Sequence, residues 1–280
     1  MQPIIDKKQV AANRARAERL AVPGADFLLE RALDELGDRM AVTARRFDHA
    51  VAVGAHGAMV AERLAATGKT GTCSVAAFDE EERLDLEPES ADLIVSLLEL
   101  HQFDDVPGAL IQLRRALRPD GLFLACVPSS GTLAELRACL TEAEMAVSGG
   151  VSPRVLPFLD VREAGSLLQR AGFALPVTDH DTVTVRYDTA FDLMRDLRAM
   201  GATNTLLARS RGTAPRSLFM AAAGHYATHH ADADGRVRAT FSFVWMSGWA
   251  PDASQPKPLK PGSATHSLAE ALGGGRRGDG

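Results

Sequence analysis

The stretch DHAVAVGAHGAMVAERL, residues 48–64, decides the fold. It opens with the apolar run Ala50–Val53, turns through Gly54, Ala55, His56 and Gly57, and continues at helical spacing over Ala58–Leu64. Strand, glycine turn and helix together are how α/β proteins build a nucleotide-binding edge. Glycine lets backbone approach the ligand, and the start of the helix offers free N–H groups. A full fingerprint carries three glycines. Here two of them bracket Ala55 and His56, and Ala58 follows, so an ordinary strand-to-helix turn explains the stretch about as well.

Outward from this turn, apolar strands alternate with helical periods. Thr72–Phe78 reads as a short strand, followed by the acidic run Asp79–Ser90, in which Pro88 argues against a long helix. Asp92–Leu98 reads as a buried strand, Val106–Leu117 as a helix, Arg118–Gly121 as a turn and Leu122–Val127 as a further buried strand. Continuous apolar strands between helices point to a parallel sheet covered on both faces. Upstream, residues 1–22 form a basic arm, helical from Asp6, whose commoner state is a solvated face. Downstream, helices are expected over Thr132–Val147, Val161–Ala171, Phe191–Met200 and Pro215–His230, with strands at Thr182–Tyr187 and Arg236–Gly248. The divisions are therefore 1–22, a core of 23–130, a completing half of 131–250 and a Pro/Gly-rich tail of 251–280.

A 280-residue chain with 46% hydrophobic residues holds a substantial core. Its net charge of −5 gives no global basic field to attract nucleic acid. Cys73, Cys126 and Cys139 are too few and scattered for a disulfide framework and read as buried free thiols. No apolar run reaches the length of a membrane span and no secretory core opens the chain, so a cytoplasmic protein is expected.

Several segments together resemble class I S-adenosylmethionine (SAM) methyltransferases. They include ADLIVSLLELHQFDDVPGAL (91–110), LRPDGLFLACV (117–127), GGVSPRVLPF (149–158), DLMRDLRAMGATN (192–204) and WMSGWAP with QPKPLKPGSA (245–251, 255–264). The ending points to the branch of complex I assembly factors with a methyltransferase fold. The malonyl-carrier-protein methyltransferases of biotin synthesis share the core without that ending. The resemblance implies a Rossmann-like α/β fold with an α/β C-terminal cap, SAM as cofactor and a protein partner, with a complex I subunit as the candidate. From charge and ligand spacing, no nucleic acid partner and no metal are expected.

Departures from the family pattern are concentrated at the cofactor. The acid of the family's first motif is Ala52 here, and Ala58 replaces a glycine. Lys69–Glu80 has room for one strand, so a strand–helix unit and its ribose-binding acid are missing and the sheet edge is shortened. By resemblance, the cofactor-binding candidates are Gly54, His56, Gly57, Asp79, Glu80, Leu100 and His101, with Gln102 where the family has an aromatic. A carboxylate on a ribose diol contributes about 1.5–3 kcal/mol, so its loss weakens SAM binding. No residue stands out as catalytic, because a sulfonium donor needs positioning more than side-chain chemistry.

Three functions follow. One is a methyltransferase-type protein with an eroded cofactor motif acting in complex I assembly. A second is a non-catalytic assembly adaptor that has lost SAM. The third, carrier-protein O-methylation, is disfavoured by the ending. The alternating segment Arg236–Trp249 and Lys257–Ala264 are the expected partner-binding surface. His225 and His229 share a helix face but lack a third ligand at sensible spacing.

Overall fold

The computed structural model describes residues 2–256. Six strands form one sheet: β1 (Phe47–Val53), β2 (Thr70–Ala76), β3 (Ala91–Leu97), β4 (Leu117–Pro128), β5 (Ala174–Tyr187) and β6 (Val237–Trp249). Their order is β2-β1-β3-β4-β6-β5. β1 to β4 run parallel, while β6 runs antiparallel to both β4 and β5. β2 ends the sheet beside β1, and residues 77–90 reach β3 without a helix. The shortened edge expected from the Lys69–Glu80 connection is therefore present.

Period-two alternation puts each strand's side chains on two faces. Ala50, Ala52, Leu93, Val95, Leu124 and Trp245 enter one core. That core is covered by α2 (Phe27–Val42), α3 (Gly57–Ala66), α5 (Ala134–Ser148), α7 (Ala190–Ala199) and α8 (Arg216–His229). Val51, Val53, Ile94, Phe123, Val244 and Met246 enter the other, covered by α4 (Val106–Ala116) and α6 (Val161–Arg170). Asp160 caps α6 through the N–H groups of Arg162 and Glu163, with Glu163 returning to the Asp160 N–H. This reciprocal cap sets the helix start that the sequence places at Val161.

Three expectations need correction. Arg118–Gly121 is not a free turn: it bulges within β4, where Ala91 pairs with Leu117 but Leu93 pairs with Leu122. Cys73 is half-buried because β2 is an edge strand, whereas Cys126 and Cys139 are buried, and all three are free. β6 is an interior strand rather than a partner-binding surface. Its central polar residues are satisfied internally, Ser242 by reciprocal bonds with Thr132 and Thr240 by Glu135, while Arg238 at its start stays half exposed beside Asp232. Lys257–Ala264 lies outside the described residues.

The basic arm also differs from a solvated one. α1 (Lys7–Leu20), capped by the Asp6 side chain, is tied to the segment that follows β3 by Lys7 on the Gln102 carbonyl and Arg14 on Glu99. Ile5 and Val10 join Leu156 and Leu206 in a third small cluster. Asn13 donates to the Thr203 carbonyl at 2.9 Å, and Arg209 pairs with Asp6 at 2.9 Å. The cap over the strand ends is thus built from α1 together with loops of the carboxy-terminal half.

Candidate functional site

The site lies where β1 and β3 end. β1 delivers Gly54 at φ 115°, a backbone conformation that glycine adopts freely. The Gly54 N–H donates to the Ala76 carbonyl at 2.9 Å, and Gly57 closes the turn by donating to the Gly54 carbonyl at 3.0 Å. Both glycines are required by contacts as well. A Cβ on Gly54 would stand 2.8 Å from Glu99 Cγ, and one on Gly57 would stand 2.5 Å from Val75 Cγ1.

Glu99 follows β3 and is buried, with its side chain 8% exposed. Its Oε2 accepts from Arg14 Nη2 of α1 at 2.8 Å and from the Ala55 N–H at 3.2 Å. The structure thus gathers Gly54, His56, Gly57, Leu100 and His101 around a carboxylate–guanidinium pair that their own pattern did not announce. Burial holds His56 below its usual value, opposed by Glu99 and reinforced by Arg14. Burial pushes His101 down to about 3, with Arg14 and His56 acting in the same direction. His101 Nε2 lies 3.0 Å from Gln102 Nε2, and Gln102 Oε1 accepts from the Thr205 hydroxyl at 2.9 Å. That amide orientation makes Nε2 the acceptor and leaves the proton on Nδ1, which is enclosed without a partner. Leu100 is fully buried in the second core and serves packing.

Asp79 and Glu80 are not brought to this cluster. Both are exposed, and Asp79 Oδ1 accepts from the N–H groups of Glu81 and Arg83 in its own turn. Glu82 is the acid of that run that turns inward. Burial works to raise it, but Lys7 and the N–H groups of Asp104 and Asp105 outweigh this and hold it low. Sequence reading missed Arg14, Glu82 and Glu99. For Glu99 a signal existed: it is a lone acid in the apolar run ending β3, and a buried acid requires a partner.

The neutral His101 gives a pH prediction. Its ordinary value is 6.5 and its folded value is about 3, so the unfolded chain binds the extra proton as pH falls. Stability is complete above about pH 6.5 and declines toward pH 3, by up to about 1.4 kcal/mol per pH unit. In urea unfolding, His101→Gln should reduce the stability lost between pH 7 and pH 4.5 by about 2.5 kcal/mol. An unchanged loss would show that His101 is not the group responsible.

SAM, the cofactor that the resemblance implies, needs a ribose acid, an open glycine turn and room for its own carboxylate. β2 ends in Val75 and Ala76, with Ala77 next, so no acid stands there. The space over Gly54 and the Ala55 N–H is taken by Glu99. A second carboxylate placed there would meet a first. The residues present do not fit the group. Among the described residues, an open groove of about 920 Å³ lies instead between Ile4, Arg137, Val151, Arg154, Pro157 and Leu207, and none of the candidate residues lines it. No group of three His, Cys, Asp or Glu side chains able to hold a metal occurs among the described residues, and His225 and His229 simply stack at 6.2 Å.

Comparison with known proteins agrees with this architecture. Residues 36–125 match a family described as a methyltransferase domain. Arginine-hydroxylase NDUFAF5, mitochondrial, of Danio rerio is 35% identical over 263 residues, which cover 88% of this chain and 82% of the relative. The Dictyostelium discoideum protein of the same name is 40% identical over 189 residues, but the chain spans only 43% of its length. A malonyl-[acyl-carrier protein] O-methyltransferase of Nitrosospira multiformis is 35% identical over 66% of this chain and 57% of its own. The crystal structure of a methyltransferase candidate from Bacillus halodurans aligns with a TM-score of 0.52 at 12% identity, covering 79% of this chain and 99% of that one. The class I methyltransferase fold is thereby shown. The expected cytoplasmic location is corrected by the relatives, whose names place them in the mitochondrion. On the strength of the Danio rerio match, the chain belongs to the NDUFAF5 family of methyltransferase-fold proteins.

Proposed function

We propose that this chain acts in the assembly of respiratory complex I by holding a protein partner, and that it does so without SAM. The observation that carries the cofactor-free part is Glu99, whose buried carboxylate takes the Ala55 N–H and the Arg14 guanidinium at the glycine turn. The acid-free end of β2 supports it from the other side of the cleft. Fold survives these losses because both cores are made by strand and helix residues away from the turn. Carrier-protein O-methylation would need the cofactor that the same geometry opposes. The assembly role rests on family membership with NDUFAF5 proteins.

Isothermal titration of SAM into the full chain tests the cofactor-free part. No saturable heat is expected below millimolar ligand, and a low-micromolar dissociation constant would restore the enzyme reading. Deleting the gene in its own host tests the role: assembled complex I on native gels should fall and return on re-expression. An unchanged complex I level would overturn it.

A further inference from the structure

The Arg14–Glu99 pair is one of the few among the described residues whose carboxylate is nearly fully buried, Arg154–Glu144 being another. Arg31–Asp181, for comparison, joins side chains 47% and 34% exposed, and such pairs contribute little. Glu99 is 8% exposed and sits at the end of an apolar strand run. Its carboxylate reaches two donors from distant parts of the chain, the backbone of the glycine turn and the guanidinium of α1. Its Cγ would lie 2.8 Å from a Cβ on Gly54, closer than a side chain there allows. Backbone N–H, guanidinium and a Cβ-free floor are the parts of a small carboxylate site, and the protein fills it from within. Close by, the enclosed His101 Nδ1 has no partner, so the cluster is not one that packing alone would select.

We propose that the Glu99 carboxylate is the resident occupant of an anion site made by the Ala55 N–H and the Arg14 guanidinium, and that this occupancy holds α1 closed over the glycine turn. A free carboxylate enters only when Glu99 is withdrawn. α1 has further anchors, Lys7 on Glu82 and on the Gln102 carbonyl and Asn13 on Thr203, but among the described residues only Arg14 ties it, through Glu99, to the turn. The proposal rests on the cofactor-free reading above, and its test has a separate readout.

The test is chemical rescue by acetate. Glu99→Ala removes the occupant and leaves the guanidinium and N–H unmatched, so Tm should fall by about 3–8 °C. Sodium acetate should restore at least half of that loss in a saturable manner. Sodium chloride at equal ionic strength and neutral acetamide should not, and wild type should answer acetate no more than chloride. An acetate response equal to that of chloride in folded Glu99→Ala, or a Tm equal to wild type, overturns the site. If Glu99→Ala does not fold, Glu99→Gln keeps the shape and removes the charge. Amide exchange across α1 should then rise about tenfold or more while the sheet stays protected, and unchanged exchange overturns the proposal. Acetate rescue alongside tight SAM binding by wild type would keep the anion site and remove the cofactor-free reading. No rescue together with no SAM binding would do the reverse.

Discussion

Replacing Phe123 by alanine should lower Tm by about 6–15 °C, the largest effect expected of any single substitution discussed for this chain. Phe123 lies in β4 between Ile94 of β3 and Gly248 of β6, and none of it is exposed. Its ring stacks on Phe173 at 5.1 Å, joining β4 to the segment between α6 and β5. That stack depends on a third position. A Cβ on Gly248 would stand 2.8 Å from Phe173 Cβ, so glycine there is what lets Phe173 settle against β6. Removing the ring deletes buried area and leaves a cavity walled by the hydrogen-bonded centre of a mixed sheet that has little freedom to collapse, which places the cost at about 3–5 kcal/mol. Chemical denaturation measures it directly. Val42→Ala, at a position 86% exposed, is the control and should leave the midpoint in place. A loss for Phe123→Ala under about 1 kcal/mol would mean that the second core is not packed as described.

How much of this was legible in the sequence depends on which force set each feature. The parallel core could be read because burial on both faces leaves unbroken apolar runs, as in Ala50–Val53 and Leu122–Val127. The short edge could be read because a crossover helix cannot fit between Lys69 and Glu80, and chain length is a hard constraint. β6 misled because alternation of polar and apolar residues usually marks a strand with one wet face. Here Thr240 and Ser242 meet Glu135 and Thr132 instead, and a side-chain partner more than 100 positions away leaves no local trace. The same holds for Arg14. In a helix with Lys7, Lys8, Arg14, Arg16 and Arg19, nothing in its neighbours marks Arg14 as the residue that reaches Glu99. Asp79 and Glu80 were carried by resemblance, and the turn formed by Asp79 with Arg83 keeps them outside. The glycine turn was therefore found from sequence, while what fills it was not.

The filling can be measured without any ligand. Gly54→Ala alone should cost about 2–4 kcal/mol from two separable sources. The first is backbone: φ 115° is strained for any residue with a Cβ, whatever surrounds it. The second is the contact, since the new Cβ would lie 2.8 Å from Glu99 Cγ and 3.1 Å from its Cβ and Cδ. Glu99 cannot swing aside cheaply, because Arg14 and the Ala55 N–H hold its carboxylate. Glu99→Ala removes the atoms responsible for the second source and leaves the first. The double variant Gly54→Ala with Glu99→Ala should accordingly be more stable than the sum of the single losses predicts, by about 1–2 kcal/mol. Urea unfolding of the four proteins in the cycle gives that coupling energy. Additive losses would mean that Glu99 does not rest on Gly54, and the closed turn would then have to be held by something other than this carboxylate.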